Sequence, residues 1–174
     1  MDLLGLKTLT IITRTVEIIK ETTGKFIDVN HLDFNDIKVY ELFSKGATDG
    51  IFQFESTGMK KYLKDLKPNL FSDLIAMVAL YRPGPMQHID TYIRRKYGQE
   101  VVEYDHPLTE NALKETYGVI IYQEQVMQMS RDMAGFTGAE ADTLRKAMGK
   151  KDQRVMDQLK PKFWEGSTAN GVDE

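Results

Sequence analysis

The chain has 174 residues, no cysteine and a formal charge of -3, with 41% hydrophobic and 28% charged residues. That length fits one soluble domain with an ordinary core, and the absence of thiols excludes disulfides and thiolate metal sites. No apolar run approaches the roughly 20 residues of a membrane helix, and Met1 to Leu4 lack the basic start of a signal peptide. His31, His88 and His106 show no paired metal-ligand spacing, so the expectation is a cytoplasmic protein without a membrane partner.

Leu9, Ile12, Val16 and Ile19 recur at helical steps and predict a helix over 7–21, with Gly24 as its stop. A shorter helix over 33–45 would turn Val39, Leu42 and Phe43 inward and end at Gly46. Gly50 to Phe54 alternates apolar and polar residues, the pattern of a short strand. A helix over 56–66 stops at Lys67-Pro68, and Ser72 is a candidate cap for a buried helix reaching Tyr81. Pro83 and Pro85 end that helix and stiffen the turn. A basic amphipathic helix follows over 89–97, closed by Gly98.

Pro107 suits the first turn of the next helix, which stops at Gly118. Val119 to Ile121 is a β-branched run, after which Tyr122 opens a helix broken at Gly135. Thr137 and Glu140 have capping-box spacing, and the helix they open carries Leu144 and Met148 on one face and Lys146 and Lys150 on another. A last helix over 152–169 should be interrupted or kinked near Pro161. The expected fold class is mainly α, a multi-helix domain with a few short strands.

On a mildly acidic chain, the run Arg145, Lys146, Lys150, Lys151, Arg154, Lys160 and Lys162 is a local basic cluster. Such a patch, and not the overall field, would have to carry any binding to nucleic acid. Arg can grip a phosphate through two N–H groups and Lys acts as a point charge; the plain alternative is a solvated helix face with cations near its C-terminus. Arg82 precedes a rigid Pro-Gly-Pro turn that could aim it at phosphate, or the turn only stops a helix. Tyr122 beside Gln123, Glu124 and Gln125 could stack on a base, or pack in the core while the polar residues cap the helix. Arg94, Arg95 and Lys96, like the lysines at 60, 61, 64 and 67, read first as wet helix faces. The methionines and Trp164 read as packing residues.

Several ungapped segments share one order: Asp2-Leu-Leu-Gly-Leu-Lys-Thr-Leu-Thr10, Gly50-Ile-Phe-Gln-Phe-Glu-Ser-Thr-Gly-Met59, Ala79-Leu-Tyr-Arg-Pro-Gly-Pro85, Glu115-Thr-Tyr-Gly-Val119, Tyr122-Gln-Glu-Gln-Val-Met127 and Leu144-Arg-Lys-Ala-Met-Gly-Lys-Lys151. Together they resemble the alpha (catalytic) subunit family of bacterial DNA polymerase III, the C-family replicative polymerases, across essentially the whole chain. That family's proteins are several times longer, so the chain looks like an excised piece. The resemblance implies the end of a palm-domain strand at 1–6 and a portion of the helical fingers domain at 7–174.

It also implies a role for the intact protein in DNA-directed DNA synthesis, transferring a deoxynucleoside monophosphate to a primer 3′-end. Asp2 matches one of the family's three metal-binding aspartates, so it is the candidate catalytic and Mg²⁺-binding residue, the other two being absent from this chain. Arg82, Arg145, Lys146, Lys150 and Lys151 become candidates for contact with triphosphate or DNA, and Tyr122 for the nascent base pair. Many family members have Arg-Arg where this chain has Arg145-Lys146, so the charge at Lys146 is kept and the bidentate fork is lost. The implied partners are primer-template DNA, deoxynucleoside triphosphates and replicase subunits such as a sliding clamp, reached mostly through other regions. The piece alone should be inactive. Without the resemblance, the alternatives are a non-catalytic helical module binding DNA backbone or a protein, or a purely structural domain.

Overall fold

The structure, a computed structural model, describes residues 5–172; Asp2, the candidate metal ligand, lies outside them. Nine α-helices and two short 3-10 turns are present among the described residues, and no strand is. The helical expectation holds and the few short strands do not. The chain divides into two compact units, Met1–Asp73 and Leu74–Glu174.

In the first unit, α1 (Lys7–Thr23) ends at Gly24, whose φ of 69° closes the helix onto the Lys20 carbonyl. None of its residues is fully buried, and Ile12 and Val16 line a shallow apolar cleft with Phe26, Ile27 and Val29. Helix α2 (Ile37–Ser44) is capped by the Asp36 carboxylate, which accepts from the Lys38 N–H at 2.9 Å, and buries Tyr40 and Phe43. Helix α3 (Thr57–Leu66) is capped by Ser56 and turns Met59, Leu63 and Leu66 fully inward.

The segment expected as a strand, Gly50 to Phe54, folds as consecutive turns. The Ile51 N–H donates to Thr48 and the Phe54 N–H to Ile51, and Gln53 adopts φ 67°. No neighbouring strand supplies a ladder there, so the alternation serves another end: Phe54 meets Phe43 edge-on with ring centroids 5.0 Å apart. Helix α4 (Phe71–Leu80) also starts differently from the expectation. Ser72 lies inside it, and the buried Asp73 carboxylate satisfies the entry by accepting from the Asn69 and Leu70 N–H groups, both at 3.0 Å.

In the second unit, Ala76, Met77 and Leu80 of α4 are buried, as are Ile89 and Tyr92 of α5 (Ile89–Lys96). Helix α6 (Pro107–Leu113) begins with its proline and passes into a 3-10 turn, Lys114–Thr116. Val119 to Ile121 then runs without a partner strand. Helix α7 (Gln123–Ala134) packs against α6, α8 (Gly138–Lys150) and α9 (Gln153–Ala169). The seam is apolar: Ala134, Phe136 and Ala141 are buried, with Met127, Leu144, Leu159 and Phe163 against them. Gly166 permits the closest approach, because a Cβ there would lie 2.1 Å from the Ala134 carbonyl oxygen. Pro161 stands inside an unbroken α9 and does not interrupt it.

Candidate nucleotide-contact site

Two segments far apart in sequence meet in the second unit: the start of α7 and the middle of α8. Tyr122 is extended (φ -108°, ψ 149°) and α7 begins at the next residue. Gln125, at the third helical position, is buried and uses both ends of its amide. Its Oε1 accepts from the Ile121 and Tyr122 N–H groups at 2.7 and 2.9 Å, and its Nε2 donates to the Ala112 carbonyl and the Thr116 hydroxyl at 3.1 and 2.7 Å. A helix N-terminus leaves its first N–H groups unsatisfied, and here one amide side chain holds the entry and ties it to α6. The Tyr122 phenol is raised above its usual range by burial first and by the Glu115 charge second.

Helix α8 starts at the Thr137–Glu140 capping box foreseen from sequence. One turn on, Asp142 faces Arg145 and Lys146 at the three- and four-residue spacing that makes side chains neighbours. Its Oδ1 accepts from Arg145 Nε at 3.0 Å and Nη2 at 2.7 Å, and its Oδ2 pairs with Lys146 Nζ at 2.6 Å. Those contacts hold the Asp142 carboxyl below its usual range, Lys146 contributing most and Arg145 next. Arg145 Nη1 reaches across to α7 and donates to Gln123 Oε1 at 3.0 Å. Arg145 is thereby bonded to the residue adjoining Tyr122, and two of the expected site residues, Arg145 and Lys146, share the Asp142 carboxylate.

The others are placed apart from it. Lys150 lies in the last turn of α8 and Lys151 at its C-cap in the left-handed region (φ 54°); both are exposed, where the helix dipole favours cations. Arg82 is exposed and bonds within its own turn, Nε donating to the Ala79 carbonyl at 3.0 Å. Among the described residues it shares no hydrogen bond with Tyr122 or the α8 cations. Arg94 and Arg95 both grip Glu100, at 2.8 and 2.9 Å, and Arg95 also donates to the Tyr117 carbonyl, so that pair braces a loop. Lys162 pairs with Glu140.

Reading the sequence residue by residue missed Asp142 and gave Gln125 only a general capping role. Asp142 was detectable from its spacing to Arg145 and Lys146; Gln125 from its capping-box position after Tyr122. Among the described residues no group of three or more His, Cys, Asp or Glu side chains could hold a metal ion. The Asp142 carboxylate is taken up by the two cations Arg145 and Lys146. No described helix is long and apolar enough to cross a membrane.

The family described as bacterial DNA polymerase III alpha subunit finger domain matches residues 8–171. DNA polymerase III subunit alpha of Aquifex aeolicus (strain VF5) is 55% identical over the full chain, which spans 15% of that relative. The Chlamydia pneumoniae protein of the same name is 50% identical over 99% of the chain and 14% of its own length. That of Staphylococcus aureus (strain COL) is 48% identical over the whole chain and 16% of its own length. With a match that covers nearly every residue, the chain belongs to the finger-domain family of the bacterial DNA polymerase III alpha subunit.

Proposed function

We propose that the chain supplies part of the fingers of a DNA-directed DNA polymerase and contacts the incoming deoxynucleoside triphosphate through Arg145 and Lys146, with Tyr122 bordering the nascent base pair. The observation that carries this reading is the Arg145–Gln123 bond of 3.0 Å, which joins the cationic helix to the Tyr122 segment. A nucleotide needs both at once: a ring face for its base and positive charge for its phosphates. As the primer 3′-oxygen attacks the α-phosphorus, charge builds on the departing pyrophosphate. Cations already aimed there lower the barrier without reorganising. Residues 7–174 are read as fingers and 1–6 as the end of a palm strand. Asp2 and Mg²⁺ enter this reading only for the intact polypeptide, where two more carboxylates would complete the metal site.

The exposed Lys150 and Lys151, and Arg154 in the first turn of α9, favour a second role. They carry no ion-pair partner among the described residues and flank the α8–α9 turn, so they are assigned to the DNA backbone.

The test uses the full-length polypeptide and single-turnover nucleotide incorporation. Changing Arg145 and Lys146 together to Ala should raise the apparent nucleotide Kd about ten- to a hundredfold, the size of one or two lost charge-assisted bonds. Primer-template affinity should hardly change. Changing Lys150 and Lys151 to Ala should instead weaken DNA binding and reduce its salt slope by about 1 to 2. Unchanged nucleotide Kd beside weakened DNA binding in the Arg145/Lys146 variant would overturn the nucleotide assignment in favour of a backbone-binding module.

A further inference from the structure

Arg145 is held by two side chains from two helices. Of its five N–H donors, Nε and one on Nη2 point to Asp142, one on Nη1 points to Gln123, and one remains on each terminal nitrogen. Lys146 is held by the second oxygen of the same carboxylate, while its side chain stays 61% exposed. A flexible cation ordinarily loses rotamer freedom when it grips a phosphate. Here that freedom is already restricted before any ligand arrives.

The geometry points to Asp142 and Gln123 as positioning residues: they fix the Arg145 guanidinium, and Asp142 also the Lys146 ammonium, in the arrangement that receives the triphosphate. This inference rests on the nucleotide role of Arg145 proposed above. The cluster of Arg145, Lys146 and Asp142 keeps a formal charge of +1, so it still attracts an anion. One guanidinium N–H group stays uncommitted on each of Nη1 and Nη2, and each can donate to a phosphate oxygen. Asp142 costs some attraction by its own charge. It returns this by removing the alternative rotamers, and by keeping Arg145 against the α7 entry where Tyr122 sits. Gln123 adds the contact that no residue within α8 could make, since it anchors the guanidinium to a different helix.

The test again uses the full-length polypeptide, with single-turnover kinetics that separate nucleotide Kd from the maximal incorporation rate. Asp142→Asn keeps the shape and removes the charge, and should raise the nucleotide Kd roughly three- to tenfold, the value of re-immobilising a rotamer-rich side chain. Asp142→Glu should recover part of that loss. Gln123→Leu should shift the Kd in the same direction. In a background with Arg145 and Lys146 both changed to Ala, Asp142→Asn should add little, because both of its partners are gone; a residue that merely supported the fold would add its full penalty there. Full additivity, an unchanged Kd in Asp142→Asn, or tighter nucleotide binding would each overturn the positioning role while leaving the Arg145 assignment intact. If Arg145→Ala itself leaves the Kd unchanged, the nucleotide reading fails and this inference falls with it.

Discussion

Glu140 joins a helix cap to a neighbouring helix. It accepts from the Thr137 N–H and hydroxyl, both at 2.9 Å, and pairs with Lys162 of α9. Lys162 first, and the Thr137 N–H second, pull its carboxyl from 4.5 down to about 2. A carboxyl depressed in the folded state stabilises the protein above its unfolded value and loses that contribution as the pH falls through the folded one. The pH window for Glu140 therefore runs from 4.5 down to about 2. Denaturation midpoints measured across that window should fall more steeply for the natural chain than for Glu140→Gln, which keeps the cap but not the charge. Equal slopes would mean that the Lys162 contact is not made in solution. At this scale the sequence showed the Thr137–Glu140 cap plainly, because both partners lie within one turn. Lys162 was visible only as a member of a basic run. Its partner lies 22 residues away, and so does Gln123 from Arg145; helical periodicity carries no information about contacts made between helices.

Helix ends were the most legible elements, for local reasons. Gly24 and Gly135 take left-handed conformations that suit glycine, and Pro107 opens α6 with a ring already set for it. The errors have local causes as well. Gly50 to Phe54 alternates like a strand, but Gly50 and Gln53 both turn to positive φ, and a strand also needs a neighbour that composition cannot supply. Ser72 was a plausible cap, yet the carboxylate one residue later reaches two N–H groups at once. The close approach of α7 and α9 gives a sharper expectation. Gly166→Ala should gain about 1 kcal/mol from helix propensity alone. The new Cβ would meet the Ala134 carbonyl at 2.1 Å, and such overpacking costs about 1–3 kcal/mol or more. Because the contact is with backbone and not with a movable side-chain tip, overpacking should win and the denaturation midpoint should drop. A higher midpoint would mean that the two helices sit further apart.

Across the whole molecule, a net charge of -3 coexists with a basic stretch from Arg145 to Lys162, and the structure divides that stretch into different tasks. Arg145 and Lys146 share Asp142, Lys162 bridges to Glu140, and Lys150 and Lys151 stay exposed. The family could be recognised because its motifs lie in order along the chain, whereas the constellation could not: it depends on α7 and α8 being brought side by side. Photocrosslinking tests that constellation most directly. The full-length polypeptide, bound to primer-template, would be exposed to a deoxynucleoside triphosphate bearing an azide on its terminal phosphate, and adducts would be mapped by mass spectrometry. The expected result is labelling concentrated in peptides spanning 122–126 and 142–151 and suppressed by excess unmodified nucleotide. Competable labelling confined to peptides outside those two segments would contradict the account.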